Sequence, residues 1–331
     1  MYIPAPGRYA GMEYRRCGES GLLLPAISLG FWHNFGAGAH MEEMKNLCRT
    51  AFDLGITHFD LADNYGPPPG SAEIHFGRIL KEDFAHHRDE LVIATKAGHP
   101  MWPGPYGDWG GRKHLLAGLD QSLKRMGLDY VDIFYHHRMD PQTPLEETME
   151  ALSQAVRSGK ALYVGLSKYD GPTLERSAGI LKELHCPFVV SQQRWSLLDR
   201  TVEKNGGAAA AKRLGKGIIA FTPLAQGLLT DRYLSAVPGQ CCIRRDGQRV
   251  LREETLTPQR HGQLLRLGEV AASRGQTLSE LALSWLLHRG DVTSVLVGAS
   301  RPEQLTANVK ALQNTAFTEE ELRLMDEIAP L

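Results

Sequence analysis

The sequence lacks an excess of either charge. Its 331 residues contain 37 Lys and Arg against 38 Asp and Glu, for a formal net charge of −1. Without a global basic field, we expect neither a nucleic-acid partner nor an anionic membrane, although Arg244, Arg245 and Arg249 could still hold one phosphate. The charge balance therefore favours a small-molecule partner.

The sequence also lacks a credible membrane span or secretory signal. Residues 22–41 carry no Asp, Glu, Lys or Arg, and their number is close to that of a span. However, Pro25, Asn34, two histidines and several glycines interrupt this stretch. The N-terminal MYIPAPGRYAG has no charged segment followed by an apolar one, as a signal peptide would.

Cysteines are few, and their spacing indicates no special chemistry. The five cysteines, at positions 17, 48, 186, 241 and 242, fit neither a CxxC motif nor a Cys/His zinc pattern. We interpret them as reduced thiols of a cytoplasmic protein and expect no metal site.

What the sequence does contain is a repeated alternation of two patterns. Short apolar or β-branched runs alternate with longer amphipathic segments, which is typical of parallel strands joined by crossover helices. The predicted strands are 25–30, 58–62, 91–96, 131–136, 161–167, 188–193, 217–223 and 294–300. Helical patterns between them include 41–55, 114–127, 144–160 and 172–185. Eight such units predict an α/β fold, a (β/α)8 TIM barrel forming a single domain over 1–331.

Three further segments extend this barrel. The stretch MEYRRCGESGLLL, residues 12–24, predicts two short strands about a turn, a β-hairpin that closes the N-terminal end of the barrel. Two long loops, 97–112 and 224–257, are expected at the C-terminal face. Long loops on a compact domain tend to be functional or disordered.

The sequence lacks the glycine motif by which a Rossmann domain holds a dinucleotide. Gly36-Ala37-Gly38 has no third glycine, so no GxGxxG follows a strand. A barrel instead binds phosphate in the loops after its seventh and eighth strands. GASRPEQL lies there, with Gly298, Ser300 and Arg301 as possible donors. An ordinary strand-to-helix turn uses the same residue types, but the position in the barrel favours an anion site.

Polar residues at the strand ends of a barrel converge on one mouth. Here they are Asp60, Asp63, Tyr65, Lys96, His136, His137, Ser167, Lys168, Gln192 and Gln193. A lysine such as Lys96 would stabilise the phenolate of Tyr65 and lower the tyrosine pKa. A carboxylate such as Asp60 would orient the lysine, and a histidine after the fourth strand could hydrogen-bond a carbonyl oxygen. This combination predicts a site that protonates an oxyanion.

With these residues the sequence resembles an aldo-keto reductase, from YRRCGESGL to VLVGASRPEQL. The tetrad of that family is Asp, Tyr, Lys and His on four successive strand ends, with the Asp five residues before the Tyr. The histidine lies five residues after the Asp of a YVD segment, here Asp132. The resemblance therefore assigns the catalytic roles to Asp60, Tyr65, Lys96 and His137.

The resemblance also implies a site for NADPH/NADP+. It places Trp32 and Asp60 beside the nicotinamide, Ser167 and Gln192 at its carboxamide, and Phe221 against its ring. The loop over the pyrophosphate would contribute Thr222, Pro223, Leu224, Gln226 and Arg232. The adenosine-phosphate region would contain Gly298, Ser300, Arg301, Gln304 and Asn308, where a cation favours NADPH by meeting the 2′-phosphate.

Two positions depart from the pattern of the family. Lys168 replaces the small polar residue expected after Ser167, which changes the charge of the pocket. Ala307 stands where relatives usually carry a glutamate facing the adenine.

Within the family, the sequence is most similar to the bacterial glyceraldehyde 3-phosphate reductase branch, which is itself similar to potassium-channel β subunits. Three segments carry this similarity: YHHR followed by an Asp, SLLDR, and FTPLAQGLLT. This implies hydride transfer from NADPH to a small aldehyde, such as glyceraldehyde 3-phosphate or methylglyoxal, with Tyr65 as proton donor.

Two other interpretations stay open. One is an NADPH-binding regulatory subunit with little turnover, against which His137 argues, because the channel subunits tend to carry Asn there. The other is a lyase that uses Lys96 as a Schiff-base nucleophile. The sequence allows a homo-oligomer without specifying one.

Overall fold

Eight parallel strands close into a barrel at the centre of the molecule. The computed structural model of the protein describes residues 2–235 and 256–331, together with the backbone of 244–245 and 248–249. In chain order, the strands are β1 (Tyr14–Arg16), β2 (Leu23–Pro25), β3 (Ile27–Gly30), β4 (His58–Asp60), β5 (Val92–Ala97), β6 (Val131–His136), β7 (Ala161–Ser167), β8 (Phe188–Arg194), β9 (Gly217–Phe221), β10 (Arg244–Arg245), β11 (Gln248–Arg249) and β12 (Val292–Val297). The order in the barrel is β12-β3-β4-β5-β6-β7-β8-β9. The predicted (β/α)8 barrel is thereby confirmed.

The barrel strands are apolar along most of their length because both of their faces are covered. Every residue of β3, β6 and β12 is buried, as expected when helices surround a parallel sheet. The predicted strand bounds differ slightly from the observed ones. Ala26 separates β2 from β3, so the predicted strand 25–30 belongs partly to the hairpin, and β4 ends at Asp60 rather than at residue 62.

Helices cover the outside of the barrel. They are α1 (Met41–Asp53), α2 (Ser71–Asp83), α3 (Arg112–Met126), α4 (Leu145–Arg157), α5 (Gly171–Glu183), α6 (Thr201–Lys204), α7 (Gly207–Arg213), α8 (Pro258–Ser273), α9 (Leu278–His288), α10 (Pro302–Val309) and α11 (Glu319–Ile328). The four helices predicted by range are α1, α3, α4 and α5, each confirmed within a few residues. Gly127 ends α3 in the left-handed conformation that glycine adopts without strain. No helix among the described residues is long and apolar enough to cross a membrane.

The predicted N-terminal hairpin is confirmed and lies at the N-terminal end of the barrel. β1 and β2 pair antiparallel, and the amide of Glu19 in their turn donates to the carbonyl of Gly215, just before β9. A Cβ atom at Gly18 would lie 2.1 Å from the same carbonyl oxygen, so this close approach requires glycine. The hairpin therefore covers the barrel at the end opposite to its polar strand ends.

The predicted loop after β5 is confirmed, whereas most of the predicted loop 224–257 lies outside the described residues. Residues 98–111 join β5 to α3, and two short 3₁₀ helices, Ala225–Gly227 and Asp231–Tyr233, follow β9. β10 and β11 pair antiparallel. Cys241, Cys242 and the side chains of Arg244, Arg245 and Arg249 lie outside the described residues, whereas Cys17, Cys48 and Cys186 are buried free thiols.

Candidate active site

A buried lysine connects three of the four residues of the proposed tetrad. Lys96 lies in β5 beside β4, whose last residue is Asp60, and both side chains are 0% exposed. The Lys96 ammonium contacts a carboxylate oxygen of Asp60, donates to the Leu61 carbonyl at 2.7 Å and lies 3.4 Å from the hydroxyl oxygen of Tyr65. The spacing of Asp60 and Tyr65 thus brings both groups to one ammonium.

The other carboxylate oxygen of Asp60 is bound from across the barrel. It accepts a hydrogen bond of 2.9 Å from the amide nitrogen of Gln192, in β8. Both oxygens of this buried carboxylate are therefore partnered, which a buried charge requires. The lysine is held by Asp60 and Leu61, and Asp60 is held by Gln192.

The structure places His137 beside Tyr65 and directs His136 elsewhere. The backbone amide of His137 continues the pairing of β6 with β5 by donating to Ala97, and its ring centroid lies 5.9 Å from that of Tyr65. His136 instead bonds the hydroxyl of Tyr169 through Nδ1 at 2.6 Å. Burial and the charges of Lys96 and Lys168 hold the pKa of His137 well below its ordinary value. His137 is therefore a neutral imidazole at neutral pH.

The pKa of Tyr65 corrects an expectation from the sequence. Lys96 was expected to lower it, but burial and the carboxylates Asp60 and Asp63 raise it well above its ordinary value. Burial likewise lowers the pKa of Lys96, while Asp60 opposes this effect. Tyr65 therefore holds its proton at neutral pH in this structure.

Asp63 is a second buried carboxyl group behind the tetrad. Neither of its oxygens has a hydrogen-bond partner among the described residues, and burial together with Glu73 raises its pKa well above the ordinary value. Glu73 itself is partnered, by the hydroxyl of Thr95 at 2.5 Å and by Arg125 at 2.7 Å. Burial therefore favours the protonated form of Asp63 more than it is favoured in an exposed aspartate.

A cleft of about 520 Å³ leads from Tyr65 to α10. Most of the residues predicted for cofactor binding line it, and these are Trp32, Phe221, Thr222, Pro223, Leu224, Gln226, Arg232, Gly298, Arg301, Gln304 and Asn308. Ala307 lines it as well. Arg232 and Arg301 are exposed and form no ion pair within the part of the chain that the structure describes. The cleft therefore has two cations available for an anionic ligand.

Four predicted residues, Asp60, Ser167, Gln192 and Ser300, do not line the cleft, and Asp60 is the buried partner of Lys96. Ser167 is fully buried, and its hydroxyl has no hydrogen-bond partner in the described residues. Gln192 is held by Asp60, as described above. Ser300 donates through its backbone amide to the side-chain oxygen of Gln304 at 2.8 Å, at the start of α10.

The sequence did not indicate every residue of the cleft. His33 and Asn34 line it, and the Asn34 amide donates to the Ala299 carbonyl at 2.7 Å, connecting the loop after β3 to the loop after β12. Their place directly after Trp32 at a strand end could have identified them. Thr230 also lines the cleft and ends the segment FTPLAQGLLT, whereas Ser279 lines it without a motif that distinguishes it in the sequence.

With the barrel, the buried pair of Asp60 and Lys96 and the cleft described, comparison with known proteins decides the family. The model of the Aldo/keto reductase family matches residues 26–330. The chain belongs to the aldo/keto reductase family. The family consists of oxidoreductases, which confirms the predicted enzyme class.

Curated relatives of this aldo/keto reductase cover nearly the whole chain. It is 56% identical to the L-glyceraldehyde 3-phosphate reductase of Escherichia coli O157:H7 and 55% identical to that of strain K12, each over 99% of this chain and 95% of the relative. It is 35% identical to a potassium-channel β-subunit-like protein of Schizosaccharomyces pombe, over 96% of this chain and 93% of the relative. The predicted resemblance to both groups is thereby confirmed.

Aldo/keto reductases generally use nicotinamide cofactors, and the residues of this cleft fit one. The unpartnered hydroxyl of Ser167 could bond a carboxamide, since buried hydroxyl groups normally have a partner. Phe221 offers an aromatic ring on the cleft wall, and Arg232 and Arg301 offer charge for phosphates. The volume of the cleft lies within the range of small-molecule and cofactor sites.

Proposed function

We propose that this aldo/keto reductase reduces small aldehydes to alcohols with NADPH. The observation that carries the proposal is the Lys96 ammonium, which contacts Asp60 and lies 3.4 Å from the Tyr65 hydroxyl at the inner end of the cleft. The two Escherichia coli relatives, named for L-glyceraldehyde 3-phosphate reduction, support a small aldehyde as the substrate. When bound, NADPH would supply the hydride.

Tyr65 is the proposed proton donor. Its raised pKa means that the proton is present on the hydroxyl oxygen at neutral pH. As this proton passes to the developing alkoxide of the substrate, negative charge forms on the phenolate oxygen, and the nearby Lys96 ammonium stabilises it. Asp60, Leu61 and Gln192 keep the ammonium in place. Neutral His137 would orient the carbonyl oxygen by a hydrogen bond.

The proposed cofactor contacts follow the cleft outward. Trp32, Ser167 and Phe221 would contact the nicotinamide. Residues 222–232, including Arg232, would lie along the pyrophosphate, and Arg301 would meet the 2′-phosphate. For Gln192 the structure supports a modified role, because its amide nitrogen already donates to Asp60. Only its side-chain oxygen is then available to a carboxamide.

A pair of tyrosine variants tests the proposal. Tyr65→Phe should lower kcat/KM for aldehydes by about 10²- to 10⁴-fold, since it removes the general acid. NADPH binding, followed by nicotinamide fluorescence, should persist. Tyr135→Phe is the matched control, because Tyr135 is also buried near Lys96, with the ammonium 5.6 Å from its ring centroid. Full turnover by Tyr65→Phe would reject Tyr65 as the donor.

A second candidate is an NADPH-binding regulatory subunit with little turnover, which the 35% identical channel β-subunit-like relative supports. Steady-state oxidation of NADPH with several aldehydes separates the two functions, because such a subunit would show at most one slow turnover. A Schiff-base lyase is disfavoured by the contacts of Lys96, whose ammonium is bound by Asp60 and Leu61. Attack on a carbonyl would require Lys96 to give up these two contacts.

We further propose that residues 1–331 form one domain, that the protein acts in the cytoplasm, and that methylglyoxal is among its substrates. The three buried free thiols support a reducing compartment. A screen of glyceraldehyde 3-phosphate enantiomers, methylglyoxal and aromatic aldehydes tests the substrate range, and sedimentation of the purified protein tests for a homo-oligomer.

A further inference from the structure

Three cationic side chains stand at the ends of three neighbouring strands of the barrel. Arg138 follows β6, Lys168 follows β7, and Arg194 ends β8, and these strands pair with one another in that order. All three ends belong to the C-terminal face, where Tyr65 and His137 also lie. This side of the mouth therefore has a local positive charge that the near-zero net charge of the chain conceals.

Two of these cations are already paired with carboxylates. Arg138 donates to Asp108 at 2.6 Å and to the Gly98 carbonyl at 2.7 Å, and its guanidinium stacks 3.7 Å from the ring centroid of Trp109. The Arg194 guanidinium lies 3.5 Å from a carboxylate oxygen of Asp199. Each of these arginines therefore has a carboxylate counterion, and two nitrogen atoms of the Arg138 guanidinium already donate hydrogen bonds.

Lys168 differs from both arginines. It is exposed, and within the described residues its ammonium forms neither an ion pair nor a hydrogen bond to a carboxylate. The ammonium lies 5.8 Å from the ring centroid of Phe221, which lines the cleft. Lys168 is therefore a free cation at the edge of the cleft.

The backbone of Lys168 is fixed in an unfavourable conformation. Its φ of 62° lies in the left-handed region, which a side chain with a Cβ atom seldom adopts. Its amide donates to the Gln192 carbonyl at 3.0 Å, so the pairing of β7 with β8 holds this conformation. Such conformations concentrate at functional sites, where the surrounding structure maintains them.

The charges that face Lys168 are of its own sign. Although part of the side chain is exposed, desolvation of the ammonium lowers the pKa of Lys168 to about 8, and the charges of Lys96, Arg138 and Arg194 act in the same direction. Its own charge in turn contributes to the lowered pKa values of His99 and His137. A bound anion would offset this repulsion, and it would lie on the side of the mouth where His137 meets Tyr65.

We propose that Lys168 binds the phosphate group of a phosphorylated short-chain aldehyde and so selects such substrates over neutral ones. The inference rests on the proposed aldehyde reduction and names the substrate class of the same site. Arg138 and Arg194 keep their carboxylate partners and add to the positive potential at the mouth. Lys168, whose ammonium has three donors on a flexible stem, contacts the phosphate directly.

The first test compares two substrates that differ only in the phosphate. The ratio of kcat/KM for L-glyceraldehyde 3-phosphate to that for L-glyceraldehyde should fall by about 10- to 100-fold in Lys168→Gln, as expected for the loss of one charge-assisted hydrogen bond. Lys168→Arg should recover most of this ratio. An unchanged ratio in Lys168→Gln, or an equal loss for both substrates, would overturn the inference.

Lys216→Gln is the matched control. Lys216 also has its ammonium near a phenylalanine ring, 5.4 Å from the centroid of Phe188, but it precedes β9 at the opposite end of the barrel. Its substitution removes the same charge and should leave the ratio unchanged. A fall as large as that of Lys168→Gln would show a general effect of charge, which contradicts a contact at Lys168.

The second test requires no turnover and separates this inference from the proposed function. Calorimetric titration with glycerol 3-phosphate should show binding that weakens about 10-fold or more in Lys168→Gln and persists in Lys216→Gln. Equal binding by both variants would overturn the inference. Glycerate binding as tightly as glycerol 3-phosphate would overturn the choice of phosphate. If the phosphate binds as expected but no aldehyde is reduced, the proposed function fails and the anion site stands.

Discussion

Removal of the Lys96 ammonium should destabilise the fold strongly, because it leaves a charge buried without a counterion. Lys96 and Asp60 are both 0% exposed, and without the lysine the Asp60 carboxylate retains only the hydrogen bond from Gln192. Methionine has nearly the length and volume of the lysine stem, so Lys96→Met creates little cavity. The expected loss of unfolding free energy is about 3–5 kcal/mol at neutral pH, the usual cost of breaking a buried pair from one side.

A double-mutant cycle isolates the charge effect from packing. Asp60→Asn combined with Lys96→Met removes both charges and retains an acceptor for Gln192. The double variant should therefore be more stable than Lys96→Met alone, with a coupling energy of about 2–3 kcal/mol. The loss in Lys96→Met should also shrink as the pH falls from about 7 towards 4, because a proton can then neutralise the unpaired carboxylate.

Urea unfolding monitored by tryptophan fluorescence measures each of these free energies. The slope of unfolding free energy against urea should be the same for all four proteins, so that their midpoints can be compared. A loss below about 1 kcal/mol in Lys96→Met, or purely additive effects in the double variant, would refute the reasoning from a buried ion pair.

Two further predictions concern Asp63 and Arg301. Because burial and Glu73 raise the pKa of Asp63, the native state binds the proton of this carboxyl group more tightly than the unfolded chain does. The unfolding free energy therefore falls as the pH rises from the pKa of Asp63 in the unfolded chain to its higher pKa in the native state. Asp63→Asn should thus exceed wild type in unfolding free energy at about pH 8 but not near pH 4, and a difference independent of pH would count against this. Arg301→Ala should weaken NADPH binding about 10-fold and leave NADH binding nearly unchanged, measured by fluorescence titration; equal losses for both cofactors would reject a contact to the 2′-phosphate.

Local sequence patterns predicted the barrel because each strand is buried on both of its faces and is therefore a short apolar run. The spacing of Asp60 and Tyr65 predicted their proximity because five residues carry the chain from the end of β4 into its loop. The contact between Gln192 and Asp60 was not predictable, since 132 residues separate them and no pattern encodes the geometry of their side chains.

The pKa shifts and the ion-pair partners of the site could not be predicted from the sequence either. The expectation of a lowered pKa for Tyr65 considered only the nearby lysine, whereas the extent of burial and the second carboxylate, Asp63, determine the direction. Similarly, Arg138, Lys168 and Arg194 are equivalent cations in the sequence. Only their partners in three dimensions show that, among the described residues, Arg138 and Arg194 pair with a carboxylate and Lys168 does not.

The hairpin of β1 and β2 has a practical consequence for immobilising this reductase. It covers the end of the barrel opposite to the mouth, and Arg16 and Leu23 belong to its exposed surface. A linker attached to an exposed hairpin residue would orient every molecule on an electrode or bead with its cleft towards the solution. Cofactor and aldehyde would then reach the cleft from the solution side without obstruction by the support.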